Sequence, residues 1–420
     1  MPRAVTRNVL VLGIVSFFAD VASDMVVPLL PAFLLSLGAG ASFLGVVEGF
    51  AEGTAALFKW ISGRWADRAK RLLPITASGY GLAAVVRPLL ALAAAPWHVL
   101  AVRCLDRVGK GVRSSPRDKL LAASAAEGRL AEAFAFHRGL DHAGAALGPL
   151  AAAALLTVWP GDLRRVFVVA AIPGALAVLA LAAVRERAAT RVAPKSPVAA
   201  PEIAPDSALA FAPKSAPAAA PKSAPAGAED LESAAALRVP PRLLAAIGLF
   251  TLGNSTDALL LLRAQSVGVP LAQLPILWTL LHVVRALTSW PLGRAADALG
   301  RKGALASGWL WYAACYTGFA LASRPAQVFA LFAVYGVVAG LTEGSERALV
   351  AAAVPSGFRG RALGLYSLVT GIGLLVASVI AGLLWDRVSP AAALGTGAVL
   401  AALAAAILLA WRTAPEPVNH

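Results

Sequence analysis

Charged side chains stand inside long apolar runs of this sequence, and their types and spacing point to ion-coupled chemistry. Asp20 and Asp24 fall four residues apart, which places both on one face of a helix. Asp257 ends the tripeptide Ser255-Thr256-Asp257, which answers Ala22-Ser23-Asp24 in the first run. A charge at mid-membrane costs about 2.5–3.5 kcal/mol on insertion scales, so such a group faces a cavity or a partner. A carboxylate in a cavity is suited to taking up and releasing a proton. The competing reading is an acid neutralised by arginine or a helix N-terminus and used only for packing; both stay open, above all for Asp20. Glu52, four residues after Glu48 and seven before Lys59, is a further proton or cation site. Glu48 lies close to the outer end of its helix and is set aside. Arg103 and Asp106 lie deep in the fourth run and bear on transport. His282 and Arg285 sit at similar depths in the eighth, where a histidine either titrates near neutral pH or simply packs. Arg87, before Pro88, and Arg263 are candidate partners for the acids or for an anionic substrate.

The elements that position these groups follow from composition. The 420 residues are 59% hydrophobic and 14% charged, with a mean hydropathy of +0.72. Soluble domains carry roughly 25% charged residues, and a span needs about 20 apolar ones. Residues 391–411, 362–385, 304–322 and 166–184 contain no Asp, Glu, Lys or Arg. The expected fold is all-α and membrane-embedded, with helices at 8–37, 43–66, 73–94, 97–122, 131–158, 165–185, 242–267, 271–293, 303–322, 326–352, 361–386 and 390–411. Shorter alternating segments of a β-barrel are absent from the pattern. The +14 formal charge does not imply nucleic acid, because Arg and Lys gather in alternate loops and obey the positive-inside bias. Both termini are therefore expected in the cytoplasm and the chain in the cytoplasmic (inner) membrane. The first apolar run is too long for a signal peptide. Cys104 and Cys315 lie in separate runs and offer no disulfide framework. No metal or cofactor is expected: His137 and His142 lack further ligand spacing, and Gly109-x-Gly111 lacks the third glycine of a dinucleotide loop.

The chain also repeats itself. Gly63-Arg64-Trp65-Ala66-Asp67-Arg68 returns as Gly293-Arg294-Ala295-Ala296-Asp297, with the aspartates 230 residues apart. Residues 1–185 and 241–412 are read as two six-helix bundles, 413–420 as a cytoplasmic tail. Between the bundles, 186–240 is rich in Ala and Pro, repeats Ala-Pro-Lys-Ser, and is expected to be a disordered cytoplasmic tether. Gly63, Asp67, Arg68, Arg113, Arg117 and Asp118 are expected to form a cytoplasmic gate in the first bundle. Gly293, Asp297, Arg301, Glu346 and Arg347, with Glu343 beside them, are expected to do so in the second. The charge density from Arg103 to Asp118 is read as too great for hydrocarbon, which assigns its later part to the inner interface. Gly144-x-x-x-Gly148-Pro149 predicts a close and bent helix contact.

Two six-helix halves, a charged middle loop and Gly293-x-x-x-Asp297-x-x-Gly300-Arg301-Lys302 resemble the major facilitator superfamily over the whole chain except 186–240. The first hinge departs from that pattern, with Ala69 where glycine is expected and Lys70-Arg71 directly after it. Gly144-Ala145-Ala146-Leu147-Gly148-Pro149 resembles the antiporter motif of proton-driven drug exporters. Arg103-Cys104-Leu105-Asp106 resembles the helix-four arginine motif of proton coupling, with Asp106 in place of Gln. The resemblance implies that helices one and seven line a central cavity. It implies a proton-coupled efflux antiporter, not an enzyme, acting as a monomer on a small molecule. The alternatives are a symporter or uniporter importing a metabolite or siderophore-like anion, and a non-transporting sensor or scaffold.

Overall fold

A computed structural model describes residues 6–126, 130–186, 240–354 and 359–410. Residues 187–239 of the expected tether (186–240) and the chain beyond 410 lie outside them. The described chain is helical throughout and runs as twelve rods, here α1 to α12. In the first half these are α1 (Arg7–Asp24, then Leu30–Ser36), α2 (Ala41–Arg68), α3 (Leu73–Val86 with a 3-10 extension Arg87–Leu92), α4 (Pro96–Ser124), α5 (Leu130–Val158) and α6 (Leu163–Val169 and Ala171–Leu181). The second half has α7 (Pro241–Gly253 and Ala258–Ser266), α8 (Leu274–Leu299), α9 (Arg301–Leu321), α10 (Pro325–Tyr335 and Val337–Ala352), α11 (Arg359–Arg387) and α12 (Pro390–Ala410). Ten stretches are long and apolar enough to cross a membrane; α4, with its charges, and α9 are not among them. The expected all-α fold is the one observed, with ten of the twelve rods long and apolar enough to span a membrane.

Each half packs on itself. In the first, α1 lies on α5 and α6, α2 on α4, and α3 on α4 and α6; in the second, α9 lies on α10 and α12, and α7 on α11 and α12. Helix ends are tied by side-chain caps. Thr6 Oγ1 donates to the Ser124 carbonyl at the end of α4, and Asn8 Nδ2 donates to the Arg185 carbonyl after α6. These ends, with the hinge at Arg68, form a basic face; the α1–α2 and α11–α12 turns lie on the opposite face. The halves meet through α2 on α11 and α5 on α8, where Thr279 Oγ1 donates to the Ala146 carbonyl at 3.1 Å.

Two rods expected as continuous are broken where function was sought. The first piece of α1 ends at Asp24, and α7 is interrupted over Asn254–Asp257. Pro28 and Pro31 on one side and Gly253-Asn254-Ser255 on the other account for the breaks, since proline removes an amide donor. In α7 the freed Thr256 amide finds Ser378 Oγ on α11 at 3.1 Å. Equivalent breaks in related halves are how transporters place polar groups at mid-depth.

Candidate functional site

The face of α1 that carries Ser16, Asp20 and Asp24 follows the four-residue helical step. Asp20 and Asp24 are half-buried at the inner end of this piece. Trp278 on α8 donates its Nε1–H to Asp24 Oδ1 at 3.0 Å, a bond between the two halves. His282, one turn on, stacks edge-on against Trp278 with ring centroids 5.3 Å apart. Among the described residues neither Asp20 nor Asp24 is within ion-pair distance of a basic side chain. The close fit of α1 on α5 comes from the glycines the sequence singled out. A Cβ at Gly144 would stand 2.4 Å from the Phe17 carbonyl, and one at Gly148 2.5 Å from that of Val21. Pro149 follows inside α5, and the tight contact expected of this motif is present.

Charge is handled differently on α4. Glu48 and Glu52 on α2 face Arg103 and Arg107 on α4, both pairs at the same four-residue step. Arg103 grips Glu48 with contacts of 2.8 and 2.9 Å, and Arg107 meets Glu52 at 3.1 Å. Arg87 on α3 meets Asp106 at 2.7 Å. Arg103, Arg87, Asp106 and Glu48 are all buried, and so is Arg107 at 6% exposure. Three arginines are thus matched by three carboxylates inside protein, not hydrocarbon. Removing one partner of such a buried pair strands the other and costs about 3–5 kcal/mol.

In the second half Asp257 has partners of its own. Arg285 meets it at 2.8 Å and the Tyr335 hydroxyl donates to Oδ1 at 2.7 Å. Tyr312 and Tyr316 stack with centroids 4.0 Å apart beside Tyr335. Asp24 and Asp257 occupy matching breaks but are not each other's partners: one is tied to a neutral indole, the other to a cation. Arg263 donates to the Phe319 and Ala320 carbonyls at 3.0 and 3.2 Å and also to that of Ala322, so it caps the end of α9.

On the basic face Asp67 is latched by Lys119, at 3.1 Å, and Lys119 also reaches the Ala66 carbonyl at 2.8 Å. Gly63 lies against Ser115 of α4, while Arg68 is exposed. Arg113 is not in this latch: it is buried over the Tyr80 ring, 4.2 Å from its centroid. Arg117 holds Asp118 at 2.8 Å and donates to Ser16 Oγ at 3.0 Å, where Tyr80 and His137 also converge. In the second hinge Gly300 adopts φ +86°, a left-handed turn leading straight into α9. At the first, Ala69 is extended at φ −70°, ψ 135°, and α3 starts only at Leu73. The missing glycine changed the turn and left the latch. The side chains of Gly293, Asp297, Arg301 and Glu343 lie outside the described ones. Glu346 is buried, accepting from Trp309 Nε1 at 3.1 Å and from the Tyr366 hydroxyl, and Arg347 is exposed.

On the opposite face Asp386, at the end of α11, caps the start of α2. Its carboxylate accepts from the Ala41 amide at 3.0 Å and the Ser42 amide at 2.7 Å. The positive end of the α2 dipole favours that anion. This cap joins the halves on the opposite face.

Two broken helices bearing acids, at matching places on two related halves, are the geometry of a secondary transporter. The family model for the Major Facilitator Superfamily matches residues 12–280 and again 243–420. The chain belongs to this superfamily. It is 28% identical over 417 residues to an MFS-type transporter of Methanocaldococcus jannaschii described as uncharacterized, covering 97% of this chain and 95% of that one. A Mycobacterium tuberculosis protein, also described as uncharacterized, is 29% identical over 388 residues, covering 90% and 87%. Among solved structures the nucleoside transporter NupG superposes with a TM-score of 0.72 at 14% identity, covering 96% of this chain and 98% of that one. A bacterial homolog of the human lysosomal transporter Spinster gives 0.67 at 14% identity, covering 96% and 94%. At that identity the likeness is one of fold. Membership makes this chain a membrane transporter.

Glu48, set aside in the sequence, belongs to these sites, as do Arg107, Trp278, Tyr335 and Asp386, which the sequence did not assign to them; Lys119 falls in the stretch expected beside the Asp67 hinge. Glu48 and Arg107 had a signal: acids four apart on one helix and arginines four apart on another form two rungs. Trp278, Tyr335 and Asp386 act across helices distant in sequence, and nothing local marks them.

Proposed function

We propose that the protein is a proton-coupled antiporter that exports a small amine-bearing compound by alternating access. The basic face and both termini then lie in the cytoplasm, in keeping with the positive-inside bias. The observation that carries this reading is Asp24: a half-buried acid at a helix break whose carboxylate, among the described residues, is in ion-pair reach of no cation and bonds only to an indole of the other half. Asp20 and Asp24 form one wall of the cavity, where a proton and an ammonium group compete for the same oxygens. Competition of that kind makes exchange obligatory, because the site that has released one is ready for the other. Asp257 serves as a fixed ion pair with Arg285 that shapes the second wall.

Import of an anion is less well supported, because the arginines it would use are occupied. Arg87 is held by Asp106 and Arg263 by the carbonyls of α9. A sensor that signals through 187–239 leaves the two acids of α1 without a task. The test begins with a sensitivity screen of a deletion strain across amines, drugs, metals and organic acids. The compound found is then added to proteoliposomes with a trapped pH dye. Wild-type protein is expected to move protons against the compound, and Asp24→Asn to abolish that movement while the protein stays folded. Unchanged proton movement in Asp24→Asn overturns the assignment.

A further inference from the structure

Four helices of the first half meet at the Ser16 hydroxyl. It is buried on α1 and lies 3.1 Å from the Tyr80 hydroxyl of α3, 3.0 Å from His137 Nε2 of α5 and 3.0 Å from Arg117 Nη1 of α4. On the other side of the ring, Asp141 Oδ2 stands 3.4 Å from His137 Nδ1. A carboxylate only accepts, so the hydrogen-bond inventory assigns the ring hydrogen to Nδ1 and leaves Nε2 an acceptor. Ser16 then donates to Nε2 and accepts from Tyr80 and Arg117, which satisfies every polar atom of the node.

One atom beside the node is left over. Asp141 Oδ1 is buried and, among the described residues, has no hydrogen-bond partner. Asp141 follows His137 by one turn of α5, as Asp20 follows Ser16 by one turn of α1. The rung after Ser16–His137 therefore sets Asp20 opposite Asp141. The helices are close there: a Cβ at Gly144, next along this face of α5, would stand 3.2 Å from Asp20 Cβ. The Asp141 charge acts directly on Asp20, which likewise has no hydrogen-bond or ion-pair partner among the described residues.

The other charges acting on the two acids are Asp24 on α1, Lys110, Arg113 and Arg117 on α4, and Arg138 on α5, while α8 meets α5 through the uncharged Thr279. Arg113 is spent on the Tyr80 ring and Arg117 on Asp118 and Ser16. Among the described residues no guanidinium or ammonium is within ion-pair distance of either carboxylate. Two acids that face each other with acceptor oxygens and no donor between them lack one hydrogen, and like charges in one site take up a proton. We propose that Asp20 and Asp141 share a single proton across the seam of α1 and α5, and that His137 is the positioning residue that aims Asp141 at it. This rests on the exchange reading above and deepens it, because Asp24 lies one turn beyond Asp20 and is supplied from this store. When the proton moves to an Asp24 oxygen, Asp20 and Asp141 are left as two facing anions, and a proton taken up from water restores the pair.

Infrared spectroscopy of the full-length protein in nanodiscs at neutral pH tests this, because a protonated carboxyl has a C=O band that a carboxylate lacks. Wild-type protein is expected to show such a band, shifted in heavy water. Asp20→Asn and Asp141→Asn are each expected to remove the same band, because the acid that remains faces an amide donor and no like charge. The double variant is expected to remove nothing more, since only one proton was there to lose. His137→Ala is expected to move the band, and His137→Gln, which keeps an N–H donor, to restore most of its position. The proposal is overturned by wild-type protein without the band, by a band that either asparagine variant leaves in place, or by a double variant that loses two. An unmoved band in His137→Ala overturns the positioning role. Should Asp141→Asn not fold, His137→Ala decides, since His137 touches Asp141 and has no contact with Asp20. A band that Asp20→Asn removes and His137→Ala leaves unmoved then belongs to Asp20 alone and overturns the sharing. No transported compound enters these measurements. Exchange that fails in vesicles with the shared band intact therefore refutes coupling and leaves the proton pair standing.

Discussion

Removing the Asp386 carboxylate is expected to open the face that it seals. The perturbation is Asp386→Ala, with Asp386→Asn as the milder form that keeps one acceptor and loses the charge. The carboxylate accepts two backbone amides of α2, at 3.0 and 2.7 Å, and no other side chain of the described residues replaces it. Asp386 is solvent-exposed, so the large values for buried charged hydrogen bonds do not apply. The helix-capping scale does, and puts the loss at about 0.5–2 kcal/mol. Here the cap exists only while the halves are closed on this face, because its donor and acceptor belong to different halves. The loss therefore falls on one conformation and not on the other. A difference of about 1–2 kcal/mol changes the ratio of the two by roughly 5–30-fold. Spin labels at Ser36→Cys and Val388→Cys, both exposed on this face, report the separation of the halves once Cys104 and Cys315 are replaced by serine. Pulsed dipolar spectroscopy is expected to show the long-distance population growing in Asp386→Ala, less so in Asp386→Asn. An unchanged distance distribution, or a shift to shorter distances, refutes the reasoning.

Three further outcomes follow from the packing. Glu48→Gln is expected to lower stability by about 3–5 kcal/mol by stranding Arg103, and Glu48→Gln with Arg103→Gln to recover much of it; thermal unfolding in detergent measures both. Arg263→Gln uncaps α9 and is expected to lower the unfolding temperature without changing substrate affinity, because Arg263 is spent on carbonyls outside the cavity. Gly148→Leu is expected to abolish transport in a protein that still inserts, since even a Cβ there stands 2.5 Å from the Val21 carbonyl; transport in vesicles at normal rates contradicts it.

How much of this was legible depended on whether a feature is local. Apolar runs announced the rods, because the requirement to span lipid acts on every residue of a run. The repeat of the hinge and of Ser-Asp at 23–24 and Thr-Asp at 256–257 announced two related halves. Gly144 and Gly148 were legible because only a missing side chain permits backbone contact at their spacing. The partners were not. Asp257 finds Arg285 and Tyr335 on two other helices, and Asp24 finds Trp278 across the molecule. Nor were the breaks in α1 and α7 expected, although Pro28 and Asn254 stand at them. The pairing along α4 was not legible either, because Glu48, Glu52 and Asp106, which neutralise Arg103, Arg107 and Arg87, come partly from other helices.

Among the described residues two carboxylates, Asp386 and Asp24, join the halves, and their contacts differ in what can break them. Asp386 holds backbone amides, donors that cannot be withdrawn by chemistry, so this cap yields only to movement. Asp24 holds an indole N–H, and a proton arriving on Asp24 competes directly with that donor for the same oxygen. On the proposed reading the second bond is therefore the chemical trigger and the first the mechanical latch. Proton or ammonium binding at Asp24 releases α8 from α1, and the halves are then held by packing, by the Thr279–Ala146 hydrogen bond and by a cap worth about 0.5–2 kcal/mol. A latch of that size is strong enough to favour one conformation and weak enough for a single binding event to reverse it, since an effector acts only through its differential affinity for the two states. On the same reading Asp257, paired with Arg285 at 2.8 Å, stands outside this trigger and shapes the second wall.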